Sequence, residues 1–319
     1  MSARLLEARP SPGTDHRSGS RARTIGLTLG FVGVTLVTVT LVNAVAAGVL
    51  AGRTGEEMTV ARLLAWSFGL TTAAFGTLKF GIAVILFGIL VRLWLRVDAV
   101  KDSLPFLKAA GGVDAAPEIG AIRTPYGKAT TSAVAPEPLL IHRMAKAMWA
   151  PMLAMGAMAV LGGFVLSLIQ ADTIGTDPAL ATSQSAWVQG LQFLGEGFLL
   201  SGISLLLGTI LGSLRKGGGE VQESVGVGVE TLDMPLAAKL FVGLMAFGLM
   251  VEIFQFVAYA VVATFDDPAS VAASLAWLGP VREAGLGILL SGIVLALATI
   301  AKALGFQFWR LTEIVRTGR

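Results

Sequence analysis

Six apolar blocks, each roughly 22 to 30 residues long, run through this chain of 319 residues. At ~1.5 Å of rise per helical residue, every block is long enough to cross a hydrocarbon core of ~30 Å. Only 14% of the residues are charged, against about 25% in an ordinary soluble domain, and the mean hydropathy is +0.75. The composition excludes a soluble globular protein. The expected fold is all-α and integral to the membrane, with spans at about 25–50, 67–91, 147–170, 189–213, 240–264 and 278–301.

Residue types that are missing narrow the chemistry. The chain has no cysteine, which removes disulfides, thiolate metal sites, iron–sulfur clusters and cysteine nucleophiles. Its two histidines, His16 and His142, lie in polar segments outside the expected spans. Haem ligation and histidine-assisted serine chemistry inside the membrane thus lack their usual residue. No catalytic constellation emerges, no cofactor is implied, and an enzyme is disfavoured. The net charge of +3 arises from basic residues flanking apolar spans, which topology explains without nucleic acid.

Six spans put both termini on one side. That side collects twenty Lys and Arg, from the N-terminal tail, the stretch Arg92 to Lys146, the group Arg215, Lys216 and Lys239, and the residues from Lys302 onward. The other side holds only Arg53, Arg62 and Arg282. The positive-inside rule then places both termini in the cytoplasm. Arg exceeds Lys by sixteen to eight among abundant Ala, Gly and Val, a usage consistent with a bacterial inner membrane. Ala44-Val45-Ala46 resembles a cleavage site, but the leader is too long and the apolar stretch too extended for a signal peptide. The first block is read as a retained helix.

Every even-numbered span opens with Ala-Trp and carries two glycines at fixed distances: Trp66, Gly76 and Gly81; Trp187, Gly197 and Gly202; Trp277, Gly287 and Gly292. Leu78, Leu199 and Leu289 match within the same frame, and Ile82, Ile203 and Ile293 close it. The repeat unit is an out-and-back helical hairpin, and three units of one orientation suggest a pseudo-threefold six-helix bundle. The tryptophans read as interfacial anchors. Glycines five apart point ~140° from each other around a helix, so each is expected to pack on a different neighbour. The expected divisions are a disordered basic tail (1–24), hairpin one (25–96), a loop (97–144), hairpin two (145–215), a flexible loop (216–235), hairpin three (236–305) and a C-terminal tail (306–319). The Gly217-Gly218-Gly219 run favours mobility in the second loop, and its Glu220, Glu223, Glu230 and Asp233 read as a solvated acidic face.

Ionisable residues interrupt the spans at Lys79, Glu196, Glu252 and Glu283. Each is costly in hydrocarbon and is expected to face protein or water. Lys79 lies thirteen residues inside Trp66 and Glu252 thirteen beyond Lys239, both ~20 Å deep, so an ion pair between them is the expectation. Gln255 shares the face of Glu252, and Gln192 that of Glu196. In the repeat columns Glu196 replaces Phe75 and Leu286, while Lys79 replaces Leu200 and Leu290. An asymmetric polar cluster of Lys79, Glu252, Glu196, Gln255 and Gln192 on a repeated scaffold marks the candidate site. Glu283 reads as an interfacial residue beside Arg282. Met144, Met148, Met152, Met155 and Met158 line one helical face and read as core filling. The partners implied are membrane lipid and either a small solute or ion, as in a transporter, or a membrane-protein partner or second copy, as in a noncatalytic subunit or scaffold.

Overall fold

The computed structural model describes residues 15–51, 53–107 and 119–317. Six helices make up nearly all of it: α1 (Asp15–Leu50), α2 (Glu57–Leu107), α3 (Leu140–Thr173), α4 (Pro178–Ser224), α5 (Leu236–Val262) and α6 (Pro268–Thr317). All six contain segments long and apolar enough to cross a membrane. The architecture is that of a multi-pass helical membrane protein. An all-α fold is not the whole of it, because β1 (Gly120–Thr124), β2 (Gly127–Ser132) and β3 (Val229–Leu232) form an antiparallel sheet in the order β1-β2-β3.

Helices α1 and α2, α3 and α4, and α5 and α6 pack as neighbours, but the three pairs are not equivalent. Helix α4 also touches α2, α5 and α6. In its most apolar stretch 78% of the residues are buried, against 11% in α1. Small residues permit this central position, since without a Cβ two backbones approach closely. A methyl added at Gly156 of α3 would stand 3.0 Å from the Gly195 carbonyl oxygen, and one at Gly195 would stand 3.0 Å from that of Gly156. Gly202 lies against Leu153 and Gly163 against Gln192, continuing the α3–α4 seam. On α2, Gly76 meets Val160 of α3, whereas Gly81 meets Gly26 and Leu29 of α1. On α6, Gly292 is near Phe241 and Leu244 of α5, and Gly287 has open space where a side chain would go.

The methionine face of α3 is a correction. Met152 is buried, but Met144, Met148, Met155 and Met158 are exposed. They do not fill the core; they face outward, where a bilayer would lie.

The helices run past the expected spans. α2, α4 and α6 contain 51, 47 and 50 residues, or ~70–77 Å, more than twice the hydrocarbon thickness. The excess falls at both ends of the bundle, and at one of them it meets the sheet. The segment expected to be a flexible loop from 216 begins instead as the last turns of α4. Its glycines mark close approaches: Gly217 faces Val97 of α2, Gly218 faces Gln307 of α6, and Gly219 faces Ala135 and Pro136. Likewise α1 starts at Asp15, inside the tail expected to be disordered, because a long helix extends cheaply once nucleated; residues 1–14 lie outside the described residues. Residues 306–317 continue α6 rather than forming a tail.

The acidic residues of the sheet end form hydrogen bonds and ion pairs, although Glu223 and Asp233 remain exposed. Glu220 pairs with Lys101 of α2 at 2.6 Å, Glu223 accepts from the Ala135 amide, and Asp233 accepts from Thr130. Arg310 of α6 is 5% exposed and forms the hub. It donates from Nε to Gln222 Oε1 at 3.1 Å and from Nη2 to the Gly228 carbonyl at 3.1 Å, and pairs with Glu230 at 3.3 Å and Glu313 at 2.9 Å. Gln222 completes the join: its Nε2 donates to the Glu230 carbonyl, and its Oε1 accepts from the Glu230 amide. Burial pushes the Glu230 carboxyl up and the Arg310 charge opposes that. At the far end Asp267 caps α6, accepting from Ser270 Oγ at 2.6 Å and from two amides. The Ser270 hydroxyl first, then those amides, hold the Asp267 carboxyl below its ordinary value.

Replacing Arg310 with Ala strands the buried partners that it satisfies. The expected loss is about 3–5 kcal/mol, read as a lower thermal unfolding midpoint in detergent. An unchanged midpoint removes Arg310 from its role as the joint between α4, α6 and β3.

Candidate functional site

The polar residues of the spans fall on two faces of α4. On one face Glu196 of α4 meets Lys79 of α2, with Nζ and Oε2 3.1 Å apart and side chains 7% and 18% exposed. The expected partner of Lys79 was Glu252. Depth along the helices matched, but α4 lies between α2 and α5, so the carboxylate that α4 itself carries reaches Lys79 first. Gln192, one turn from Glu196, turns toward α3, where Gly163 leaves room for its side chain. Both of its side-chain polar atoms are buried without a hydrogen-bond partner among the described residues.

The other face belongs to α5. Glu252, Gln255 and Tyr259 follow at i, i+3 and i+7, one stripe of a helix, and all three are fully buried. The glycines of α4 set the antiparallel α4–α5 contact: Gly190 lies under Tyr259 and Gly197 under Glu252. A methyl at Gly197 would stand 2.5 Å from Glu252 Cγ, and one at Gly285 of α6 would stand 2.7 Å from Glu252 Oε1. Glu252 is therefore walled by glycines of two helices. Gln255 Nε2 donates to the Leu278 carbonyl at 3.2 Å, tying α5 to α6. Phe193 of α4 packs on Tyr259 with ring centroids 5.3 Å apart, and the Arg282 guanidinium stands 3.8 Å from the centroid of the same Phe193 ring.

Both carboxylate oxygens of Glu252, Gln255 Oε1 and the Tyr259 hydroxyl have no hydrogen-bond partner among the described residues. Buried oxygen atoms of this kind are expensive unless a ligand, a proton or water meets them. Glu252 shares an electrostatic environment with Glu196, Lys79 and Arg282. No group of three or more His, Cys, Asp or Glu able to hold a metal occurs among the described residues.

Of the sequence candidates, the structure brings Lys79 to Glu196, and Glu252 to Gln255, and leaves Gln192 on the α3 side. Tyr259 and Arg282 were missed. Tyr259 was legible as the i+7 continuation of the Glu252 stripe; Arg282 was not, because its place over Phe193 depends on how α6 packs. Trp66, Trp187 and Trp277 are 47%, 38% and 50% exposed at the end of the bundle opposite the sheet. The Glu283 side chain lies outside the described residues. Compared with protein-family models, with curated proteins and with solved structures, the chain matches none.

Lys79→Met leaves Glu196 unpaired in a buried setting, with an expected cost of about 3–5 kcal/mol. The double variant Lys79→Met with Glu196→Leu removes both charges and is expected to recover most of that loss. Thermal unfolding of the three proteins in one detergent measures the coupling; additive losses exclude the pair as a coupled unit.

Proposed function

We propose that the protein is a transporter of an ion or small solute, with its site at the midplane polar residues around Glu252. The observation that carries this reading is the Glu252 carboxylate. It is fully enclosed between Gly197 and Gly285, with no hydrogen-bond partner for either oxygen among the described residues. A purely structural charge is normally paired and hydrogen-bonded. Ionisable groups within membrane helices mark ion and solute pathways by default. In this reading Glu252, Gln255 and Tyr259 contact the transported species, and Lys79 and Glu196 tune the field across α4. The three hairpins are repeats about an axis along the membrane normal, the tryptophans anchor the outer interface, and the sheet end, with both termini, lies in the cytoplasm of a bacterial cell.

A second reading, a subunit or scaffold of a larger assembly, draws on the sheet. β1 is one of its two edge strands and offers backbone groups to another chain. Native mass spectrometry from nanodiscs separates the two readings, since a stoichiometric second protein favours the assembly.

The transport reading is tested in proteoliposomes by following imposed H⁺, Na⁺ and K⁺ gradients separately. The wild type is expected to dissipate one of them. Glu252→Gln and Lys79→Met are expected to slow that flux by at least about tenfold, the equivalent of one charge-assisted contact. Equal flux in all three proteins removes these residues from the mechanism.

A further inference from the structure

A half-open cavity of about 120 Å³ lies nearer the sheet end than the midplane residues. It follows one stripe of α4, through Ser204, Gly208, Leu211, Arg215, Gly218 and Gln222. Steps of four, three, four, three and four keep to one helical face. From Ser204 to Arg215 the stripe is ~16 Å long. Its inner half is walled by apolar side chains, among them Phe241 and Met245 of α5. Its outer half is polar, at Arg215 and His142.

Four groups along this slot lack hydrogen-bond partners among the described residues: Ser204 Oγ, His142 Nδ1, Arg215 Nε and Glu230 Oε2. Ser204 is 0% exposed. The His142 ring sits against Gly212 of α4, one turn from Arg215, so the two cationic or donor groups share the outer end. Among the described residues Arg215 donates one long bond, from Nη1 to the Leu232 carbonyl at 3.4 Å. Of the carboxylates nearby, Glu230 pairs with Arg310 through Oε1, and Asp233 accepts from Thr130 while its charge also acts on Arg215. Two unpaired donors beside a buried apolar channel call for a ligand with hydrogen-bond acceptors at one end and a hydrocarbon body. The cationic end selects an anionic head, because an ionised acceptor on a guanidinium forms the stronger bond.

We propose that this slot binds an acyl chain with an anionic head, the carboxylate or phosphate held by Arg215 and His142 and the chain lying along Gly208 toward Ser204. Gly208 is what keeps the slot open. A methyl there meets only the Ala145 Cβ, at 3.3 Å, and a leucine fills the channel. The site is separate from the midplane residues and does not depend on the transport reading.

The test is native mass spectrometry of delipidated protein titrated with palmitate, hexadecanol and lysophosphatidylglycerol, with unfolding midpoints recorded for each variant. The wild type is expected to bind palmitate or lysophosphatidylglycerol one-to-one, and hexadecanol more weakly. Preference for palmitate identifies a free fatty acid as the source, and preference for the lysolipid identifies the bilayer. Arg215→Gln is expected to weaken the anionic ligands by about ten- to a hundredfold while leaving hexadecanol nearly unchanged. Gly208→Leu is expected to abolish all three. No one-to-one binding by the wild type, or equal anion binding in Arg215→Gln, overturns the proposal even if Gly208→Leu fails to fold.

Discussion

A charged or amide side chain in hydrocarbon has no partner except another protein group, and this cost fixes where α4 sits. The helix carries Gln192, Glu196, Ser201, Ser204 and Thr209 along one span, all buried. A helix so polar is excluded from the lipid-facing ring and must be covered on every side. Four helices cover it. They come close enough because the same span is rich in glycine, so that Gly195 meets α3, Gly197 and Gly190 meet α5, and Gly202 meets α3 again. The polar residues demand enclosure and the glycines permit it; neither set places α4 alone.

The sheet end follows from the length of the same helices. Once α2, α4 and α6 project past the apolar layer they need other contacts, and hydrogen bonds and ion pairs take over from helix–helix packing. Lys101 with Glu220 joins α2 to α4, and Trp94 donates to Ser213 one level nearer the spans. Arg310 joins α6 to α4 through Gln222 and to β3 through Glu230 and Gly228. Because β3 pairs with β2, both long connections are tied to α4 and α6, through Gln222 and Glu223 as well as the buried Arg310 guanidinium. Motion of α6 against α4 must therefore rearrange the sheet as well.

The spans were legible because hydrophobic length is a property of each segment by itself. The hairpins were legible for a related reason, since short connections force neighbours. The pairing of Lys79 was not legible. Depth along a helix can be counted from a sequence, but the angular position of one helix around another cannot, and Glu196 and Glu252 differ mainly in that angle. Glycine misled at 217–219, where three in a row signal a break in any local reading. There the absent side chains make room for Val97, Gln307 and Pro136, contacts from three distant segments. The sheet was missed because its strands are 4 to 6 residues long and largely polar, without the apolar alternation that marks a half-buried strand.

The distribution of charge also follows position in the bundle. The columns that hold Phe75 and Leu286, or Leu200 and Leu290, are apolar in two of three hairpins and charged in one. Glu196 falls on the one even-numbered helix that the others surround, and Lys79 on a helix that touches it. An ionised side chain at the same column of α6 would have no such cover, since Leu290 is 50% exposed on a face that a bilayer would meet. Position in the bundle thus decides which helix tolerates a charge. Buried polar groups concentrate at α4 because packing covers it with four helices, and Glu252 gains the same protection by pressing its stripe of α5 onto α4 and α6.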